Sequence, residues 1–193
     1  MPYMLGREAS GVVQSVGPGN TYSLSEGDRV MYLSQSAYAE YTAATSLHCV
    51  KIPDDVSAEI AAAALLQGLT ALTMIRESHL VKKGDWVLVQ AAAGGVGLLL
   101  IQMLKFTGAK IVATCSKTKI ELVKKHGVDV VVDYGSEDFV EKVMDVTDGQ
   151  GVVAVFDGVG KSTFEGSMKC IARKGSMISF GNASGAVPPV TIA

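Results

Sequence analysis

A short apolar run, Trp86-Val87-Leu88-Val89-Gln90, leads directly into Ala91-Ala92-Ala93-Gly94-Gly95-Val96-Gly97, and an apolar helical pattern continues to Thr107. Strand, glycine-rich turn and helix in that order leave few folds open. Set against Gly-x-Gly-x-x-Gly, Ala92 takes the first position, Gly94 the second and Gly97 the third. A side chain at the second position would keep the backbone away from a pyrophosphate, and one at the third would hold the helix off the strand. The helix N-terminus then turns free N–H groups toward the anion. Alone the loop is a weak sign. Its setting gives it weight.

That setting is a run of strands alternating with helices, the rhythm of a parallel sheet with crossover connections. Strands are predicted at 86–90, 110–114, 128–133, 152–157 and 176–180, and helices at 96–107, 117–126, 138–148 and 162–171. The earlier part reads as β-rich, with strands at 9–17, 27–32, 38–42 and 48–52. An Ala/Leu-rich helix follows over 58–66, breaks near Gln67-Gly68 and resumes over 70–77. The fold class expected is α/β: a doubly wound parallel Rossmann sheet over 69–193, preceded by a β-rich domain over 1–68. A chain ending at Ala193 has room for five strands of a six-strand sheet, so a fragment with an open sheet edge is expected.

Composition removes several function classes. Apolar residues make up 48% and charged residues 19%, which excludes intrinsic disorder. A net charge of −2 carries no basic field for DNA or a membrane surface. The longest unbroken apolar stretch, Ile60 to Leu66, is too short to span a bilayer, and the first residues lack the basic and apolar regions of a secretory signal. Cys49, Cys115 and Cys170 lie far apart with no metal-ligand spacing, as expected of free thiols in the cytoplasm.

The cofactor can be narrowed further. An NAD site would place Asp or Glu about 20 residues beyond the glycines, on the ribose hydroxyls. This chain has Ala113-Thr114-Cys115-Ser116-Lys117-Thr118-Lys119 there, with no carboxylate before Glu121. Hydroxyl and ammonium groups suit a 2′-phosphate, so NADPH is expected over NADH.

On these residues the chain resembles the medium-chain dehydrogenase/reductase superfamily, and within it the zeta-crystallin type of NADPH:quinone oxidoreductase. The matching stretches are Leu5 to Val13, Gly27 to Val30, Tyr38 to Tyr41, Leu66 to Ala71, Ala91 to Gly97, Phe156 to Gly160 and Ser179 to Gly185, in family order. The resemblance implies that the β-rich part is a partial GroES-like substrate domain. It also implies hydride transfer from NADPH to a quinone or conjugated enone, and a cytoplasmic homodimer. It places Thr70 near the nicotinamide and Gly94, Gly95, Val96 and Gly97 on the pyrophosphate. Ser116 and Lys119 then face the 2′-phosphate, Tyr134 stacks beside adenine or ribose, and Phe180, Gly181, Asn182 and Ala183 turn at the cofactor. Gln67 and Tyr38 are candidates for the substrate cleft, and no catalytic acid is assigned. Zinc-dependent relatives carry a histidine ligand where this chain has Arg7, and a guanidinium cannot ligate a metal. No metal is therefore expected, and an acceptor already poor in electrons is implied. The resemblance also leaves two alternatives: an NADPH-sensitive protein binding single-stranded AU-rich RNA, or a non-catalytic remnant.

Overall fold

A computed structural model describes residues 4–19 and 22–190. Residues 1–3, 20–21 and 191–193 lie outside it, and with them the readings of the two chain ends. The chain divides into two units, Met1–Leu69 and Thr70–Ala193, the division falling inside one helix.

In the first unit β1 (Glu8–Val12), β2 (Arg29–Leu33) and β3 (Cys49–Lys51) form an antiparallel sheet in the order β1-β2-β3. The predicted strand over 38–42 does not form. That segment is a series of bends with Tyr38 and Tyr41 about three-quarters exposed. Tyr38 and Tyr41 stand three apart and so would not share a strand face, and strand propensity is only a preference for a half-buried surface that this segment lacks.

The break predicted near Gln67-Gly68 is also absent, since α1 (Ala58–Thr73) runs straight through it. The Glu8 carboxylate accepts from the Leu66 amide and from Gln67 Nε2, both at 3.0 Å, and supports the helix where Gly68 would weaken it. The irregularity comes later, as a π-helical turn at Met74–Ser78. Together Ala58–Ser78 is long and apolar enough to cross a membrane by length and composition alone. It buries Ala61 and Leu65 in the first unit and Ala71, Met74 and Ile75 in the second, while Ile60, Leu66, Leu69 and Leu72 are exposed.

The second unit holds β4 (Trp86–Val89), β5 (Lys110–Cys115), β6 (Val130–Asp133), β7 (Val152–Asp157) and β8 (Ile171–Ser179), all parallel, in the order β6-β5-β4-β7-β8. Four helices intervene: α2 (Gly95–Thr107), α3 (Ile120–Lys124), α4 (Phe139–Val146) and α5 (Phe164–Lys169). Strand alternation sorts the core into two layers. Val87, Val89, Ile111, Ala113 and Phe156 pack on one face with Leu100, Ile101 and Leu104 of α2 and Val123 of α3. Leu88, Val112, Val132 and Val155 pack on the other with Val143 of α4. Burial on both faces explains why these strands read as unbroken apolar runs. All five predicted strands are present, and the sheet is doubly wound as expected.

The predicted helices over 117–126 and 162–171 are shorter in the structure. Lys117–Lys119 is a 3₁₀ turn ahead of α3, and Ile171 already belongs to β8, which pairs back to Val152 across a register shift. Cys170, at that junction, is fully buried, and burial pushes its thiol up to about 12. Burial also raises Cys115, with Asp133 adding to the effect. Both thiols behave as small apolar groups.

Candidate functional site

Strand order reverses between β4 and β7, because the chain builds outward from β4 through β5 to β6 and then returns to β7 on its other side. A crevice opens at the carboxyl ends of strands at such a point. The loop leaving β4 stands there. Ala91 adopts a left-handed conformation at φ +51°, and its carbonyl accepts from the Gly94 amide at 3.0 Å. Gly94 is the N-cap of α2, and its own carbonyl accepts from the Leu98 amide at 2.9 Å. By helix geometry the amides of Gly95, Val96 and Gly97 have no acceptor within α2. Gly94 and Gly95 are exposed, while Gly97 is buried under the loop. A Cβ at Gly97 would lie 2.6 Å from the Ala92 carbonyl oxygen and 2.7 Å from that of Ala91, so only glycine lets the helix seat this close. A bare, positive helix end with exposed glycines beside it suits a pyrophosphate.

At the end of β5, Ser116 precedes the 3₁₀ turn; its carbonyl accepts from the Lys119 amide and its Oγ lies 3.3 Å from Thr118 Oγ1. Lys117 and Lys119 are exposed, and Lys119 forms no ion pair among the described residues. Thr114 is different: its hydroxyl is buried beneath the loop and is not presented at the strand end. At the end of β6, Tyr134 is 60% exposed and its amide donates to the Cys115 carbonyl. Asp133 beside it is held below the usual carboxylate range by the Gly135 amide and the Ser136 hydroxyl, with Lys117 contributing.

The loop after β8 is pinned to the loop after β7. The Phe180 amide donates to the Asp157 carbonyl at 2.9 Å, Ala183 to Gly158 at 3.2 Å, and Ser184 to Val159 at 2.8 Å. Gly181 packs so closely that a Cβ would sit 2.7 Å from the Gly158 carbonyl oxygen. Asn182 and Ala183 are exposed, and Phe180 is half-buried against the core. The fold thus places eleven of the twelve expected cofactor residues in the loops and first helical turns that follow parallel strands. Thr70 is the exception, half-buried on α1. In the first unit Tyr38 is exposed, while Gln67 is tied to Glu8 with its Oε1 buried and unpartnered.

One group of residues escaped the sequence reading. Gln90, Thr114, Asp157 and Ser167 form a buried polar chain under the glycine loop. The signal was present, since polar residues ending apolar strands need buried partners, but their pairing across the sheet is a tertiary fact. Among the described residues no group of three His, Cys, Asp or Glu is arranged to hold a metal ion. His79 Nδ1 instead lies 2.9 Å from Ser176 Oγ.

Residues 95–193 match the family described as zinc-binding dehydrogenase. A protein named probable quinone oxidoreductase from Schizosaccharomyces pombe is 44% identical over 194 residues, covering 100% of this chain and 58% of its own. Quinone oxidoreductase 1 of Escherichia coli is 40% identical, covering 100% of this chain and 59% of its own. A mycobacterial protein solved in complex with NADPH superposes with a TM-score of 0.93 at 45% identity, over 98% of this chain and 60% of that one. The E. coli quinone oxidoreductase complexed with NADPH superposes with a TM-score of 0.94 at 39% identity, over 99% and 59%. The chain therefore spans under two thirds of the length of these relatives.

Proposed function

The chain belongs to the zinc-binding dehydrogenase family, and from that premise we propose that it binds NADPH and serves hydride transfer to quinones or related conjugated carbonyl compounds. One observation carries the reading: a glycine loop and bare helix end at the strand-order reversal, with Ser116 and Lys119 rather than a carboxylate at the end of the next strand. Gly94, Gly95, Val96 and Gly97 would hold the pyrophosphate, Ser116 and Lys119 the 2′-phosphate, and Tyr134 the adenine or ribose. Phe180, Gly181, Asn182 and Ala183 would form the turn at the cofactor, and Thr70 would stand near the nicotinamide. When bound, NADPH supplies the hydride. The protein's own work is to fix phosphates, orient the ring and leave room for an acceptor. We assign residues 69–193 to the dinucleotide-binding domain and 1–68 to part of a GroES-like substrate domain. A cytoplasmic homodimer is the proposed working state, with β8 as an edge strand of the described sheet. Nothing at the site favours RNA: Lys117 and Lys119 are a narrow cationic spot with Asp133 close to Lys117.

Oxidation of NADPH by the full chain in the presence of a quinone tests the activity, and its absence with every quinone tried would overturn it. Lys119→Ala should weaken NADPH binding by about 1–2 kcal/mol, the range of a charge-assisted contact, and leave NADH nearly unchanged. Equal losses for the two dinucleotides in a titration would remove Lys119 from the 2′-phosphate site.

The residues present do not fit the zinc of the family description. Arg7 offers no lone pair, and no ligand cluster stands among the described residues. We propose a zinc-independent enzyme. Metal analysis after washing with chelator should give a stoichiometry near zero, whereas one tightly held zinc per chain would refute the proposal.

A further inference from the structure

The buried polar chain beneath the glycine loop has a direction. Asp157 Oδ1 accepts from the amides of Val159 and Gly160 at 2.8 and 3.0 Å. Its Oδ2 accepts from Thr163 Oγ1 at 2.7 Å and from Ser167 Oγ at 3.0 Å. Ser167 has spent its one hydroxyl proton on the carboxylate, so toward Gln90 it can only accept, which it does from Nε2 at 3.1 Å. That fixes the Gln90 amide with Oε1 toward Thr114, whose hydroxyl donates to it at 2.7 Å. Thr114 in turn has only lone pairs left, and the Ala91 amide donates to them at 3.1 Å.

The relay ends on the one loop residue in a left-handed conformation, Ala91, which L-residues adopt only when their surroundings impose it. The Thr114 carbonyl also accepts from the Ala92 amide at 2.8 Å, so the end of β5 grips both residues that open the turn. Asp157, Ser167, Gln90 and Thr114 are each at most 2% exposed, the most deeply buried polar residues among those described. Buried polar groups of this kind are weak contributors to stability compared with apolar replacements, yet a fully satisfied network fixes one arrangement.

We propose that Asp157, Ser167, Gln90 and Thr114 are positioning residues for the dinucleotide. The carboxylate sets the polarity of the relay, and the relay sets the strained backbone at Ala91 from which the phosphate loop is hung. This inference rests on the dinucleotide reading of the loop. It assigns function to residues that touch no cofactor, and it links the loop after β7 to the loop after β4.

Thr114→Val keeps the side-chain shape and removes the last hydroxyl of the relay. Asp157→Asn keeps the shape at the far end, but one amide oxygen cannot serve four donors. In fluorescence titrations of the full chain, each variant should raise the Kd for NADPH and for NADH alike by about tenfold. Their ratio should stay unchanged, since the 2′-phosphate contacts are elsewhere. The double variant should bind about as weakly as the worse single variant, because both cut one chain. Thr114→Ser should restore affinity to within about twofold of wild type. Should Asp157→Asn fold poorly, the Val and Ser variants at Thr114 decide alone. Unchanged affinity in Thr114→Val, or failure of Thr114→Ser to restore it, overturns the relay. A wild-type chain that binds neither dinucleotide overturns the reading of the loop itself.

Discussion

Gly97→Val should abolish measurable dinucleotide binding and cost about 3 kcal/mol of stability, the upper part of the range for overpacking. The nearest obstructing atoms are all backbone. A Cβ at this position would stand 2.6–2.7 Å from the Ala91 and Ala92 carbonyl oxygens and the Ala92 carbonyl carbon, none of which can rotate away. Relief requires α2 to lift from the sheet, which uncovers Leu100, Ile101 and Leu104 and swings the Gly95 to Gly97 amides off the anion. An affinity loss of at least about 100-fold for NADPH is expected, equivalent to about 2.7 kcal/mol. A thermal melt alongside the titration separates the two effects. Unchanged stability together with unchanged affinity would show that the loop is not the pyrophosphate site.

The second large effect lies in the sheet. Phe156→Ala should cost about 3–5 kcal/mol, because Phe156 is wholly buried on β7 beside Val89 and against the layer under α2. The cavity cannot close by collapse, since strands pair on both sides of β7 and hold the backbone in place. For a chain of this size the melting temperature should fall by about 6–20 °C. A loss under about 1 kcal/mol would mean that Phe156 is not the keystone of that layer. Asp157, the next residue, points to the opposite face, so the variant should damage stability more than it alters the ratio of NADPH to NADH affinity.

How much of this was legible depended on whether a residue's role was local. The parallel sheet was legible because runs such as Val87 to Val89 and Val152 to Phe156 announce burial on both faces, and Gly94 and Gly97 announce a tight strand-to-helix junction. The false strand over 38–42 came from aromatic propensity: Tyr38 and Tyr41 stand three residues apart, so a strand would send them to opposite faces, and in the structure both are exposed. The false break at Gly68 came from ranking a local glycine above a tertiary contact, the Glu8 carboxylate nearly sixty residues away in sequence. At the site, the glycine loop and the Ser116 to Lys119 segment were legible from motif and spacing, whereas Tyr134 and Phe180 to Ala183 came only from the family resemblance. Thr114 was read as part of a polar strand end, whereas its hydroxyl turns inward. Asp157 belonged to a recognisable Asp-Gly-Val-Gly stretch, yet nothing in one dimension says that its partners are Ser167 and, through Gln90, the loop after β4.

The strand order also bears on how the molecule assembles in time. Val87 pairs with Ala154, and the intervening chain holds β5, β6 and three helices. Each β-α-β step on that side joins neighbours in sequence and can form early, because the loops it closes are short. The seam between β4 and β7 closes a loop of roughly 65 residues and yields no contact until its ends meet. Phe156, Asp157 and the first link of the polar relay all sit on the late side of that seam. The scaffold of the phosphate loop is therefore expected among the last features to become native, which pulsed hydrogen exchange at the Gln90 and Ala92 amides would check. A chain delayed there would present two apolar strand edges, β4 and β7, to its neighbours.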